Sequence, residues 1–151
     1  MSSSQRLSIQ KVDPSAYEAV RGLEQYVRAG DLEPGLLELV RIRASQLNGC
    51  AYCLDMHNRD ARAAGESQRR LDVLSAWREV PDLFSEREVA ALALTEAVTR
   101  MSEEGVSDRL WEDVARHYDE KQVVRLLVAI ATINVWNRLA VSVHQDLAER
   151  A

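Results

Sequence analysis

Residues 34–57 read Pro34-Gly-Leu-Leu-Glu-Leu-Val-Arg-Ile-Arg-Ala-Ser-Gln-Leu-Asn-Gly-Cys-Ala-Tyr-Cys-Leu-Asp-Met-His57. Proline at the first helical position lacks only an N–H that has no partner there, so Pro34 can open a helix. Leu36, Leu37, Leu39, Val40, Ile42 and Leu47 supply its apolar positions. Asn48-Gly49 suits the end of that helix, because glycine takes the left-handed conformation of a C-terminal cap at low cost. A new helix is expected near Cys50, running to Gly65. The stretch therefore predicts two helices joined by a tight turn.

Outward from this hairpin the helical signals continue. Asp13-Pro14 reads as an N-cap followed by a first-turn proline, with a helix to about Ala29 before Gly30. Ser67 can cap a short helix through Leu74, and Pro81 breaks the chain. Ser85-Glu-Arg-Glu88 has the spacing of a capping box, opening a helix with Val89, Leu92, Ala93, Ala97 and Met101 on one face and an end before Gly105. Ser107 or Asp108 starts another helix through His117, and the last is expected from about Glu120 to Ala148. Aromatic residues are 5% of the chain, and no β-branched run alternates, so no strand is expected. Residues 1–151 are read as a single all-α domain, with residues 1–12 as a loosely ordered N-terminal tail. The last helix is apolar nearly all round, which suits a central position or a subunit interface.

The chain has 151 residues, 46% of them hydrophobic, as expected of one domain with its own core. Nineteen basic against 24 acidic side chains give a formal charge of −5. That balance argues against nucleic acid and against an anionic membrane surface as partners. The N-terminus has no apolar stretch of the kind a secretory signal requires. In Val123–Val143, Arg125, Asn134, Asn137 and Arg138 interrupt the apolar run, so a buried helix is expected rather than a membrane span. The expected location is the cytoplasm. There, two cysteines three apart, Cys50 and Cys53, suit redox or metal chemistry better than a permanent staple.

Glu38, Cys50, Cys53 and His57 are the candidate catalytic residues. Cys53 and His57 are four apart and share a helix face. Cys50 lies one turn earlier, within reach of a disulfide at the helix start. Unpaired N–H groups and the helix dipole favour a thiolate there. Glu38, on the preceding helix, can be folded back toward His57. The expected roles are Cys53 as nucleophile, His57 as proton carrier, Glu38 as its orienting carboxylate and Cys50 as the resolving thiol. Thiol activation alone is too small to carry the chemistry. Lowering a pKa from about 8.5 to about 7 raises the thiolate fraction roughly 16-fold but costs about 4- to 6-fold in nucleophilicity, a net gain near threefold. Protonating a departing oxygen contributes about 10²–10⁴. Glu38 and His57 therefore weigh as much as the cysteines.

These four residues resemble the motif of the AhpD-like alkylhydroperoxidases of the carboxymuconolactone decarboxylase superfamily: Glu, eleven residues, Cys, two residues, Cys, three residues, His. The stretches Asn48–Cys53, Leu92–Val98 and Asn134–Ala140 are similar to the family as well. The resemblance implies an all-helical fold, assembled as a homo-oligomer, a trimer or hexamer. It implies a thiol peroxidase for organic hydroperoxides, and for hydrogen peroxide, with no cofactor or metal. It also implies that the second cysteine becomes the sulfenic acid and the first resolves it. The implied partner is a dithiol reductant, a lipoyl-bearing or thioredoxin-like protein. One departure stands out: Tyr52 occupies the place between the cysteines where well-known family peroxidases carry histidine.

Competing readings are a dithiol–disulfide oxidoreductase, a redox sensor whose oligomer responds to the disulfide, and a zinc site of Cys50, Cys53 and His57 with Glu38 or a distant histidine as the fourth ligand. A decarboxylase is disfavoured, because that chemistry on a lactone acid calls for no vicinal thiol pair. Arg41 and Arg43 are expected on a solvated or interfacial edge, and Trp77, Trp111 and Trp136 as packing residues.

Overall fold

A computed structural model describes residues 5–148. The helices are α1 (Ile9–Val12), α2 (Pro14–Arg28), α3 (Pro34–Asn48), α4 (Ala51–Ala63), α5 (Gln68–Val73), α6 (Glu86–Thr99), α7 (Asp108–His117) and α8 (Glu120–Val143). Two 3₁₀ turns, Leu74–Glu79 and Pro81–Leu83, link α5 to α6. No strand occurs among the described residues.

The boundaries follow side-chain caps. The Asp13 carboxylate accepts the Ala16 N–H ahead of Pro14. Ser67 and Ser107 cap α5 and α7 in the same way. Ser85 with Glu88, and Asp119 with Gln122, form reciprocal capping boxes at α6 and α8. Each such cap contributes about 1 kcal/mol by satisfying N–H groups that the helix leaves unpaired.

Helix α3 is buried on two sides. Leu36, Leu37 and Val40 join Val27, Leu94, Leu126 and Ile130 in one cluster. Leu39 and Ile42 join Leu71, Leu74, Trp77 and Leu92 in a second. That is why α3 has no single apolar stripe: its neighbours α4, α6 and α8 surround it. Helix α8 packs along α2 and α3 and touches α4, α6 and α7. By length and composition it could cross a membrane, yet its buried face closes this bundle. Its outer face exposes Val124 and Val141.

Three expectations are corrected. Helix α6 stops at Thr99, and Met101 lies beyond it, 57% exposed, so it belongs to no core face. The buried apolar residues of α6 are Ala90, Ala91, Leu92 and Leu94, divided between the two clusters. Helix α8 ends at Val143 instead of Ala148, because His144 turns left-handed (φ 51°). The His144 and Gln145 N–H groups then close back on Val141 and Ala140 carbonyls at 3.2 and 3.0 Å. Within residues 5–12, expected as a tail, Ile9–Val12 form α1, and Arg6 bonds to the end of α8. The Arg6 N–H donates to the Val143 carbonyl at 2.8 Å, and its guanidinium to Ser142 O at 3.1 Å. The start of the chain thus satisfies carbonyls that the end of α8 would leave unpaired. Residues 1–4 of the expected tail lie outside the described residues.

Candidate active site

The α3–α4 turn is made by Gly49, which caps α3 at φ 64° and ψ 36°. Nothing lies within 4 Å of a Cβ built at this glycine, so backbone conformation, not crowding, is what favours glycine there. The turn brings α4 back along α3 and places Cys50 at the N-cap of α4.

Cys50 and Cys53 are joined in a disulfide, their Cα atoms 5.4 Å apart. The Cys53 N–H donates to Cys50 Sγ at 3.3 Å. Both sulfurs sit at the positive end of α4, where negative charge on either is stabilised. The two cysteines are 1% and 2% exposed, so reagents reach them only through cavities. In this state neither sulfur is a free thiolate for a metal. Glu38, His57 and Asp60 bring ligand atoms within 4.8 Å of one another, but Asp60 is exposed and Glu38 is already bonded twice.

His57 lies one turn after Cys53 and is buried. Its Nδ1 meets Glu38 Oε2 at 2.8 Å. A carboxylate only accepts, so Nδ1 carries the proton and Nε2 is left to exchange one. Burial pushes the Glu38 carboxyl up. The hydrogen bond from His57, its charge, and the charges of Arg41 and Arg28 outweigh that and hold it below the ordinary carboxylate range. Glu38 is thus kept ionised.

Arg41, expected at a solvated edge, is instead 4% exposed. Its guanidinium donates to Glu38 Oε1 at 3.0 Å and to Glu24 Oε1 at 2.6 Å. Glu38 is gripped from both sides, by Arg41 along α3 and by His57 across the hairpin. Arg41 and Glu24 were not recognised as part of the site by spacing alone. The available signal was an arginine set between the apolar Val40 and Ile42, where a charge that is buried with them must find a partner. Arg43 faces the other way. It shares Glu96 with Arg78 and the Trp77 indole, each bond being 2.9 Å.

Cys53 and His57 open on one cavity of about 360 Å³ between α2, α4 and α8. Tyr17, Met56 and Trp136 form its apolar wall. The Tyr17 and Trp136 rings meet at 5.3 Å, tilted by 59°. Trp136 is therefore a wall of the cavity as well as a packing residue. Arg21, Glu24 and Arg28 bring charge to the same cavity. Cys50 does not line it. It opens on a separate recess of about 280 Å³ beside Gly49, Ala51, Val141 and His144.

A polar bridge locks the hairpin to α8. The Asn48 amide donates to Asn134 Oδ1 and Asn137 Oδ1, both at 2.9 Å. Asn137, fully buried, donates to Ser45 Oγ at 3.0 Å. This gives the asparagines of the Asn134–Ala140 stretch a role: they fix α8 against the turn that carries the cysteines.

The family model for the carboxymuconolactone decarboxylase family matches residues 14–97. The chain is 40% identical over 147 residues to the uncharacterized protein YdfG of Bacillus subtilis, covering 97% of this chain and 99% of that one. The chain is an AhpD-like member of the carboxymuconolactone decarboxylase family. It is similar in structure to an Agrobacterium tumefaciens protein of unknown function, solved as a candidate AhpD antioxidant-defence protein. The TM-score is 0.92 at 38% identity, over 97% of this chain and 99% of that one. The debrominase Bmp8 shares the fold, with a TM-score of 0.80 at 21% identity over 92% of this chain and 74% of that one. At that identity the likeness shows the fold alone, and the residues at the cavity must decide the chemistry here.

Proposed function

We propose that the protein is a thiol peroxidase that reduces organic hydroperoxides. The observation that carries this reading is the shared cavity of Cys53 and His57, with His57 bonded to an ionised Glu38. In the reduced protein the Cys53 thiolate attacks the terminal oxygen of the hydroperoxide. The S–O bond forms, the O–O bond breaks, and the alkoxide leaves with the proton from His57 Nε2. Cys53 is then a sulfenic acid. The Cys50 thiol attacks its sulfur and gives its own proton to the departing hydroxide, which leaves as water as the disulfide closes. Two electrons pass from the thiol pair to the peroxide. Return to the dithiol takes two electrons from a dithiol reductant.

The apolar wall of Tyr17, Met56 and Trp136 favours an organic peroxide over hydrogen peroxide, because burying an alkyl or aryl group there contributes about 25 cal/mol per Å². The proton relay supplies what thiolate formation does not: about 10²–10⁴ from protonating the leaving oxygen. Tyr52 stands between the cysteines and supplies no second imidazole at that place.

The deciding experiment is intact mass against time after one equivalent of cumene hydroperoxide is added to the reduced protein. Expected is fast loss of two hydrogens, abolished in Cys53→Ser and replaced by one added oxygen in Cys50→Ser. Thiols that stay alkylatable over minutes would sink the peroxidase and leave a dithiol–disulfide oxidoreductase or a redox sensor. A sensor would show a change of sedimentation between oxidised and reduced forms.

A further inference from the structure

The two cysteines of the disulfide line different cavities. Cys53 lines the larger one with His57, and Cys50 lines only the recess beside Gly49, Ala51, Val141 and His144. Tyr52, Ala140 and Gln145 line both and form the shared wall. We propose that the Cys50 recess is the entry for the reductant, a dithiol on a slender arm, so that peroxide and reductant reach the disulfide from separate cavities. This rests on the peroxidase reading for the identity of the other substrate, but not for the route of reduction.

Three features support the assignment. Thiol–disulfide exchange requires the incoming thiolate, the attacked sulfur and the leaving sulfur to lie roughly in line. In the recess the cysteine that such a thiolate meets is Cys50, because Cys53 does not line it. The leaving group also decides between the sulfurs. Attack on Cys50 expels Cys53 into the cavity that holds His57, where a proton is at hand. Attack on Cys53 would expel Cys50 into a recess whose one titratable side chain besides the cysteine and Tyr52 is the exposed His144. Finally, no carboxylate lines the recess, so an anionic thiolate meets no like charge at Cys50.

The step balances. The first reductant thiolate bonds to Cys50 Sγ, the Cys50–Cys53 bond breaks, and Cys53 leaves as a thiolate. The second reductant thiolate attacks the reductant's own sulfur in that mixed disulfide and expels Cys50. The reductant departs as a disulfide, having given up two electrons and two protons. With Cys50 only 1% exposed, a small recess admits a thiol carried on a narrow chain more readily than a flat protein surface.

The test starts from the oxidised full-length protein and needs no peroxide. A brief pulse of 2-mercaptoethanol is quenched with excess N-ethylmaleimide, and the peptides are mapped. Expected is mercaptoethanol on Cys50 and maleimide on Cys53; the reverse pattern overturns the proposal. In a second arm, Val141→Trp narrows the recess from an exposed position on α8. Reduction by dihydrolipoamide should slow about tenfold or more, a size typical of blocked positioning. Oxidation of the pre-reduced variant by cumene hydroperoxide should keep its rate. Unchanged reduction, or equal slowing of both half-reactions, overturns the separate entry. If no peroxide oxidises even the wild type, the peroxidase reading falls while the mapping result still decides the route of reduction.

Discussion

Glu38 Oε2 and His57 Nδ1 meet at 2.8 Å across the α3–α4 hairpin, although the residues are 19 apart in the chain. The contact exists because Gly49 reverses the chain within one residue of the α3 terminus and α4 packs back on α3. Replacing Glu38 by Gln keeps the shape and removes the charge that stabilises a protonated His57. Peroxide-driven disulfide formation should slow about 10²-fold, the low end for loss of proton transfer. Stopped-flow Trp fluorescence of the reduced variant checks this. A wild-type rate would remove Glu38 from the relay.

Arg41 is a positioning residue that acts through Glu38. Its guanidinium bridges two carboxylates that a single ammonium could not grip in the same fork geometry. Arg41→Ala should destabilise the fold by about 3 kcal/mol, since it leaves Glu38 and Glu24 close together with their shared cation gone. The pH profile of the oxidative half-reaction should move as well, because Glu38 would protonate at higher pH. Arg41→Lys should restore part of the stability. A profile that does not move in either variant would reduce Arg41 to packing.

Stability should fall in acid through Glu38 and Glu96. Burial raises the Glu96 carboxyl, but hydrogen bonds from Trp77, Arg78 and Arg43 pull it below its usual value of 4.5. Glu38 is likewise held below 4.5. With folded values below the unfolded ones, both groups stabilise the fold fully above that pH, and the contribution is lost as pH falls through the folded values. Urea unfolding from pH 7 downward should show a steepening loss below about pH 4.5. Glu96→Gln should flatten that loss.

The Ser45–Asn137–Asn48 bridge should be worth more than its bonds taken singly. Asn137→Ala opens a fully buried position and deprives Asn48 of one acceptor, at a cost of about 1–3 kcal/mol from the unpaired groups alone. Residues in one network couple, so Asn137→Ala and Ser45→Ala combined should cost less than the two effects added. Thermal unfolding of the single and double variants measures this. Strict additivity would mean that the bridge does not act as a unit.

Much of the helical scaffold was legible because its signals are local. Asp13-Pro14, Ser85 with Glu88, and Asn48-Gly49 act within one helical turn, and each ends or starts a helix where expected. Where the outcome depended on distant chain, reading along the sequence failed. Helix α8 stops at Val143 where residues near the N-terminus bond to its carbonyls, and no feature of residues 143–148 signals that partner. The apolar run of α6 was assigned to one face, whereas two clusters divide it.

The sequence by itself determined the all-α class, the hairpin and the four candidate residues at their spacing, because helix periodicity and caps are short-range. It also placed Cys53 and His57 on one face of α4. Only the tertiary structure decided that Glu38 reaches His57, that Arg41 is buried between Glu38 and Glu24, and that the two cysteines line separate cavities. Those facts depend on how α2, α3, α4 and α8 pack. Packing is set by side-chain volume and buried polar pairing summed over residues far apart in the chain, and no spacing rule along one helix carries that sum.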